Sequence, residues 1–219
     1  MNSDAPVVVL KVGGSLFLNP RFRLRINQLL NLRPNHRCLI LPGGGAAADV
    51  VREWDRIHRP GDSVAHQLAL DSLSLNAAFL AALIADAELV ADRTAARAAW
   101  RRSCPVVLDP AVFVKNEPHA RPLPECWDVS SDSVAAWIAT HWPAEELILV
   151  KSTDVPAMTS VEDAARDGYL DPYLPKLSVP GDRIGWVNLA CDLNAKDIPV
   201  TALHVRSKRC SESNPNPAS

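Results

Sequence analysis

Four short stretches of this chain carry residues that could do chemistry. VVVLKVGGS runs an apolar strand into Lys11, then Gly13, Gly14 and Ser15. LILPGGG ends another strand on Gly43, Gly44 and Gly45. WDVSSDSVAAWIA sets Ser130, Ser131 and Asp132 before an apolar helix, and LILVKSTD ends a third strand on Lys151, Ser152, Thr153 and Asp154. The first two suit an anion such as phosphate. Glycine lets the backbone turn tightly and come close to a ligand, so that its amides point at negative charge. Lysine adds a compact charge and Ser15 a hydroxyl. Taken alone, Lys11 could equally be a snorkelling lysine at a strand-to-helix turn.

Two rival motifs fail on context. Gly43-x-Gly45-x-x-Ala48 has the form of a dinucleotide fingerprint, which needs a further strand ending in an acid about 20 residues on. Those positions hold Pro60-Gly61-Asp62 and the start of a long helix. A GxxxxGK[ST] phosphate loop is absent.

These residues need elements to position them. Apolar runs at Val7 to Val12, Cys38 to Leu41, Glu88 to Ala91, Pro105 to Leu108, Leu147 to Val150, Ile184 to Leu189 and Val200 to Val205 read as buried parallel strands. Helical patterns lie between several of them. Phe22, Ile26, Leu29 and Leu30 mark one face; Ala46 to His58, Ser63 to Ala85 and Ser131 to Trp142 are others. Asp62 or Ser63 is the expected N-cap of the longest, and Ser160 to Asp163 has the form of a capping box. Phe113 to Glu125, with three prolines, reads as a long loop or small hairpin over a sheet edge. The alternation predicts a three-layer αβα sandwich on a mainly parallel open sheet. Ligands of such sheets sit outside the carboxyl ends of the strands, where all four stretches fall.

The 219 residues suit one domain, expected over 1–206, with a polar tail at 207–219 expected to be disordered. A net charge of -2 offers no general field for nucleic acid or an anionic membrane, and no apolar run reaches the length of a membrane span. The first residues, MNSDAP, have no basic-then-apolar leader pattern. Five scattered cysteines without a CxxC fit reduced thiols and a cytoplasmic location.

KVGGS, GGG and WDVSSDSVAAWIA, in this order and at this spacing, resemble the amino acid kinase superfamily, which includes acetylglutamate, aspartate, carbamate and bacterial uridylate kinases. HQLALDSLSLNAAFLA and the short chain look most like the small branch holding the (aminomethyl)furanylmethyl phosphate kinase of methanofuran biosynthesis. The resemblance implies ATP-dependent phosphoryl transfer, with Mg²⁺, to a small-molecule acceptor through a phosphate or carboxylate, in methanofuran or tetrahydromethanopterin one-carbon cofactor biosynthesis. It implies an acceptor half at about 1–140, a nucleotide half at about 141–206, and a homo-oligomer, dimeric or larger. It carries over a catalytic set of Lys11, Asp132 and Lys151, with Asp132 holding the lysines in place. Gly13, Gly14, Ser15, Ser152, Thr153 and Asp154 fall to the nucleotide phosphates, and Gly43, Gly44, Gly45, His66 and Ser131 to the acceptor. No residue is assigned to a metal. Read without the resemblance, Asp132 is a helix cap, Lys151 a polar strand end and His66 a structural histidine.

The chain departs from the family pattern at two places. Pro156 stands inside the segment that is usually TDVDGV, and the late GGMxxK segment with its second lysine is missing; Lys176 and Lys196 lack that context. The alternative reading is therefore a catalytically inactive nucleotide- or anion-binding protein of the same fold, acting as a partner subunit.

Overall fold

The computed structural model describes residues 5–117, 123–191 and 198–205. All seven expected strands form: β1 (Val7–Val12), β2 (Arg37–Pro42), β3 (Glu88–Val90), β4 (Val106–Leu108), β5 (Glu146–Lys151), β6 (Arg183–Asn188) and β7 (Thr201–His204). They make one sheet in the order β3-β4-β2-β1-β5-β6-β7. Every pairing is parallel except β6 with β7, which is antiparallel. The expectation of a parallel strand at Val200 to Val205 is corrected here: an apolar run records burial, not direction.

The helices are α1 (Phe22–Asn31), α2 (Gly45–His58), α3 (Asp62–Leu83), α4 (Arg93–Arg101), α5 (Pro110–Asn116), α6 (Ser131–His141) and α7 (Val161–Arg166). Two elements depart from expectation. Helix α5 occupies the start of the segment read as a loop; Asp109 caps it by accepting from the amides of Ala111 and Val112, and Pro110 fits its first turn. The cap of α3 is Gly61 at φ +101°, a left-handed position that glycine takes without strain, so Asp62 is already inside the helix. At α7 the expected box forms in altered form. The Ser160 hydroxyl accepts from the Asp163 amide at 3.1 Å and donates to its carboxylate at 2.7 Å.

The inner strands β1, β2, β4 and β5 are buried along nearly their whole length because both faces of the sheet are covered there. Val8, Leu10 and Val12 of β1 pack with α1 and the end of α3, around Phe22, Ile26 and Leu80. Val9 packs on the opposite face, with Leu149 of β5 and Val134, Ala135 and Ile138 of α6. Side chains alternate along a strand, so Lys11 follows Val9 onto the α6 face, and Lys151 follows Leu149. Two lysines of neighbouring strands thus emerge under the start of one helix. The sheet changes direction at this point. From β1 the chain builds outward through β2, and on the other side of β1 lies β5. In open α/β sheets that switch point is where a crevice opens.

Candidate active site

The crevice is a cavity of about 430 Å³ outside the ends of β1, β2 and β5. Lys11 and Asp132, each only 4% exposed, lie at its floor. The ammonium of Lys11 meets Asp132 Oδ1 at 2.6 Å, and that of Lys151 meets Asp132 Oδ2 at 2.6 Å. One carboxylate thus bridges two cations, one oxygen to each. Lys151 also donates to the Tyr169 carbonyl at 3.2 Å and lies 5.3 Å from the centre of the Trp186 ring.

Burial and charge compete in this cluster. Burial pulls Lys11 below the ordinary lysine value; Asp132 acts against that pull and Lys151 with it. Burial alone would raise Asp132, but the two ammonium groups outweigh it and hold the carboxyl well below the usual range. Asp132 is not the cap of α6. Ser130 is, its hydroxyl accepting from the Asp132 amide at 3.3 Å. The cap reading of Asp132 therefore fails, and its side chain is left for the lysines.

The two glycine turns touch. A β-carbon on Gly14 would lie 2.3 Å from the Gly45 nitrogen, and one on Gly45, at φ +47°, would lie 2.8 Å from the Gly14 carbonyl carbon. These positions are bare first because two backbones meet there. Gly13 donates to the Val150 carbonyl at 2.7 Å and Gly43 to the Val12 carbonyl at 2.6 Å, so the loops extend the sheet past its strands. Gly14 opens a short 3-10 turn (Gly14–Leu18) and Gly45 opens α2. Such helix starts present amides without intrahelical acceptors.

Of the residues singled out in the sequence, Lys11, Gly13, Gly14, Ser15, Gly44, Gly45, His66, Ser131, Asp132 and Lys151 line the cavity. Gly43, Ser152, Thr153 and Asp154 stand outside that lining. Gly43 is buried behind it, and a β-carbon there would come within 3.1 Å of the Lys11 ammonium. Ser152 shares a 3.0 Å hydroxyl–hydroxyl contact with Ser15, joining the ends of β5 and β1. Thr153 and Asp154 are exposed. His66 is partly buried on the wall, and burial lowers its pKa against the opposing effect of Glu125. The tail from Ser207, and Lys196, lie outside the described residues.

Three contributors escape the sequence reading, and a fourth, Asn76, reads from sequence as a residue of α3 that can face the acceptor cleft. Arg52 stacks over the Trp127 ring at 5.0 Å, and Trp127 donates to Asp55 at 2.7 Å; Arg52 and Trp127 both line the cavity. Asp171 lies in the wall beside Ser130. Asn76, buried on α3, donates to the carbonyls of Gly43 and Gly44 at 2.7 and 2.8 Å and fixes that turn from behind. A polar residue inside the apolar run of α3 was its one visible signal. The other three depend on partners far apart in the chain.

The arrangement offers two ammonium groups held by one carboxylate, with helix starts and bare backbone around them. That is equipment for neutralising and positioning phosphoryl oxygens. The chain is similar to several known proteins. A [5-(aminomethyl)furan-3-yl]methyl phosphate kinase of Methanocaldococcus jannaschii is 24% identical over 148 residues, covering 67% of this chain and 66% of that protein, just under two thirds of its length. An aspartate kinase from Synechocystis shares the fold with a TM-score of 0.60 at 15% identity, over 90% of this chain and 40% of the other. A UMP kinase from Bacillus anthracis does so with a TM-score of 0.51 at 12% identity, over 74% and 70%. The model of the amino acid kinase family matches residues 6–160. The chain belongs to the amino acid kinase family.

Proposed function

We propose that this protein transfers the γ-phosphoryl group of ATP to a small-molecule acceptor. The observation that carries the reading is the Lys11–Asp132–Lys151 cluster at the floor of the cavity. An acceptor oxygen attacks the γ-phosphorus, the bond to the bridging oxygen of ADP breaks, and negative charge spreads over the transferred oxygens. Lys11 and Lys151 neutralise that charge from fixed positions, and Asp132 keeps both ammonium groups aimed. Gly13, Gly14, Ser15 and Ser152 are assigned to the nucleotide phosphates; Gly44, Gly45, His66 and Ser131 to the acceptor, with Gly43 behind them. Thr153 and Asp154 are assigned to the outer part of the nucleotide.

The residues fit ATP at the phosphate end: two cations, paired helix starts, and a cradle that a β-carbon would fill. Among the described residues no group of three or more His, Cys, Asp or Glu side chains could hold a metal. Mg²⁺, which partly neutralises the phosphate oxygens, would accordingly be carried by the nucleotide itself. The inactive alternative rested on the missing late lysine. The two cations that Asp132 holds, Lys11 and Lys151, favour transfer over that alternative.

Arg52, Trp127 and an apolar wall of Ala69, Leu70, Leu73 and Val129 suit an acceptor with a flat apolar body and an anionic group. A phosphate monoester such as [5-(aminomethyl)furan-3-yl]methyl phosphate is the acceptor class we assign, in the same one-carbon cofactor biosynthesis. The acceptor half is assigned to about 1–140 and the nucleotide half to about 141–206. Exposed Val50, Trp54 and Ile57 on α2, with Val64, Leu75 and Phe79 on α3, support a homo-oligomer. Among the described residues no helix is long and apolar enough to cross a membrane, and four cysteines are free thiols; the latter supports a cytoplasmic location.

The test is ADP formation from Mg²⁺-ATP with that phosphate monoester, with UMP and with aspartate as comparison acceptors. Turnover with the monoester, cut roughly 10²-fold or more in Lys11→Ala with the melt little changed, is the expected result. Turnover with none of them, together with no thermal stabilisation by ATP, overturns the reading.

A further inference from the structure

A second buried carboxylate lies beside the cluster, and it is occupied in a different way. Asp171 is 8% exposed and lines the cavity. Its Oδ2 accepts from the Ser130 amide at 3.0 Å, the Ser130 hydroxyl at 2.7 Å and the Ser133 amide at 2.9 Å. Its Oδ1 accepts from the Ser133 hydroxyl at 2.5 Å and from the amides of Tyr173 and Leu174 at 3.2 and 2.9 Å. The donors come from two places. Ser130 and Ser133 belong to the first turn of α6, the turn that carries Asp132. Tyr173 and Leu174 follow Asp171 in the chain.

Capping alone does not call for this arrangement, since Ser130 already caps α6 through the Asp132 amide. What Asp171 adds is a tie between that turn and a segment that also contacts Lys151. Two residues before Asp171, the Tyr169 carbonyl accepts from the Lys151 ammonium. Asp132 and Lys151 therefore both take their places from one stretch, Tyr169 to Leu174. A carboxylate accepts from donors on both oxygens, whereas an amide of the same shape would turn an NH₂ group toward one set of them.

We infer that Asp171 is a positioning residue for phosphoryl transfer: it holds the first turn of α6 against the Tyr169–Leu174 segment and so sets Asp132 and, through it, both lysine ammonium groups. The inference rests on the kinase reading for its purpose, but its geometry can be tested without turnover. The charged groups facing Lys11 are Asp132 from α6, Lys151 from β5 and, further off, Asp171. Loss of the Asp171 charge therefore moves Lys11 to a lower pKa.

The experiment compares wild type, Asp171→Asn, Asp132→Asn and the double variant in full-length protein carrying ¹³C-labelled lysine. In Asp171→Asn the ¹³Cε resonance of Lys11 should titrate at lower pH. With Mg²⁺-ATP and the furan monoester, kcat should fall about tenfold to 10²-fold, as for a slightly misplaced group, while KM changes little. In the Asp132→Asn background the same change should add almost no further loss, because it acts through Asp132. A lowered melting temperature with the Lys11 titration and kcat unchanged makes Asp171 a staple only and overturns the inference; so does multiplication of the two losses. If wild type turns over none of the acceptors, the kinase reading fails and Ser133→Ala, which leaves the Asp171 charge in place and removes one of its donors, decides the positioning: a moved Lys11 titration supports it and an unmoved one overturns it. Should Asp171→Asn not fold, Ser133→Ala, which removes one donor to Oδ1, is measured in the same way, and an unmoved Lys11 titration overturns the inference.

Discussion

At the ends of β1 and β2 the backbone is held by backbone, whereas at the end of β5 the chain is held by side chains. Gly14 and Gly45 sit in direct contact, Gly43 lies against Gly14, and Asn76 ties two carbonyls from behind. No side chain on those turns reaches into the contact. At β5, Lys151 is placed by Asp132, by the Tyr169 carbonyl and by the Trp186 ring, and Ser152 by the Ser15 hydroxyl. The two regions serve one cavity by different means. Packing sets the first, so damage there appears as lost stability. Charge sets the second, so damage there appears as lost chemistry and altered pH dependence.

The largest expected effect breaks the charged side. Asp132→Asn preserves shape and removes the anion shared by both lysines. Transfer should fall about 10³-fold, the scale of losing a preorganised electrostatic group. Stability should fall too, because Lys11 is then buried beside Lys151 without a counter-charge. The sign with pH follows from Lys11, whose folded pKa already lies below 10.5. Without Asp132 it drops further, so over the alkaline range the unfolded chain binds more protons than the folded one. Stability of the variant must then rise as pH rises. Melts of Asp132→Asn between neutral pH and about pH 10 check this. A flat or falling profile means that Lys11 is not buried as a cation there.

The packed side is tested by Gly14→Ala. The new methyl carbon would lie 2.3 Å from the Gly45 nitrogen and 2.5 Å from its Cα, and neither is the end of a flexible side chain. One turn must move away from the other. The expected cost is about 3 kcal/mol, the upper range for overpacking, read by denaturant unfolding. Gly13→Ala is the control. Its nearest neighbour would be the Val150 carbonyl oxygen at 3.2 Å, a contact that a small adjustment relieves. Equal losses in the two variants would mean that the glycine–glycine contact is not what holds these turns.

The same contrast explains what could be read in the sequence. The inner strands were legible because a strand covered on both faces is apolar along most of its length, and the edge strands β3 and β7 because each still carries a short apolar run. Lys11, Lys151 and the glycine turns were legible because each interrupts such a run at its end. Alternation of apolar residues then predicts which face the lysines take, although not that one carboxylate spans both. The direction of β7 was hidden, since parallel and antiparallel runs look alike over four residues. Helix α5 was hidden by the prolines that follow it, although Asp109-Pro110 is a good helix start. Asp171 was hidden most completely. Asp-Pro before a loop reads as turn chemistry, and its partner Ser130 lies 41 residues away. Charges that end strands announce themselves locally; groups that hold those charges in place do not.

The smallest expected effect sharpens the comparison at its boundary. Ser15 and Ser152 join the two regions directly, through a 3.0 Å hydroxyl contact in a solvent-exposed setting. If that contact only bridges the ends of β1 and β5, Ser152→Ala should cost within about 0.5 kcal/mol of stability, as exposed substitutions do. Activity should then stay within roughly twofold, because neither lysine loses a partner. If the hydroxyls instead turn to phosphate oxygens when nucleotide binds, stability stays as before while KM for ATP rises about tenfold or more. Each hydrogen bond to a charged group is worth about 1.5–3 kcal/mol. Ser15→Ala and the double variant separate the cases. For a bridge, either single change removes the whole contact, and the double variant is no worse than one alone. Where each hydroxyl binds phosphate on its own, the two losses multiply. A multiplied loss in KM at unchanged melting temperature would extend the charged region across to the end of β1, and would make Ser15 a ligand contact on a turn otherwise governed by packing.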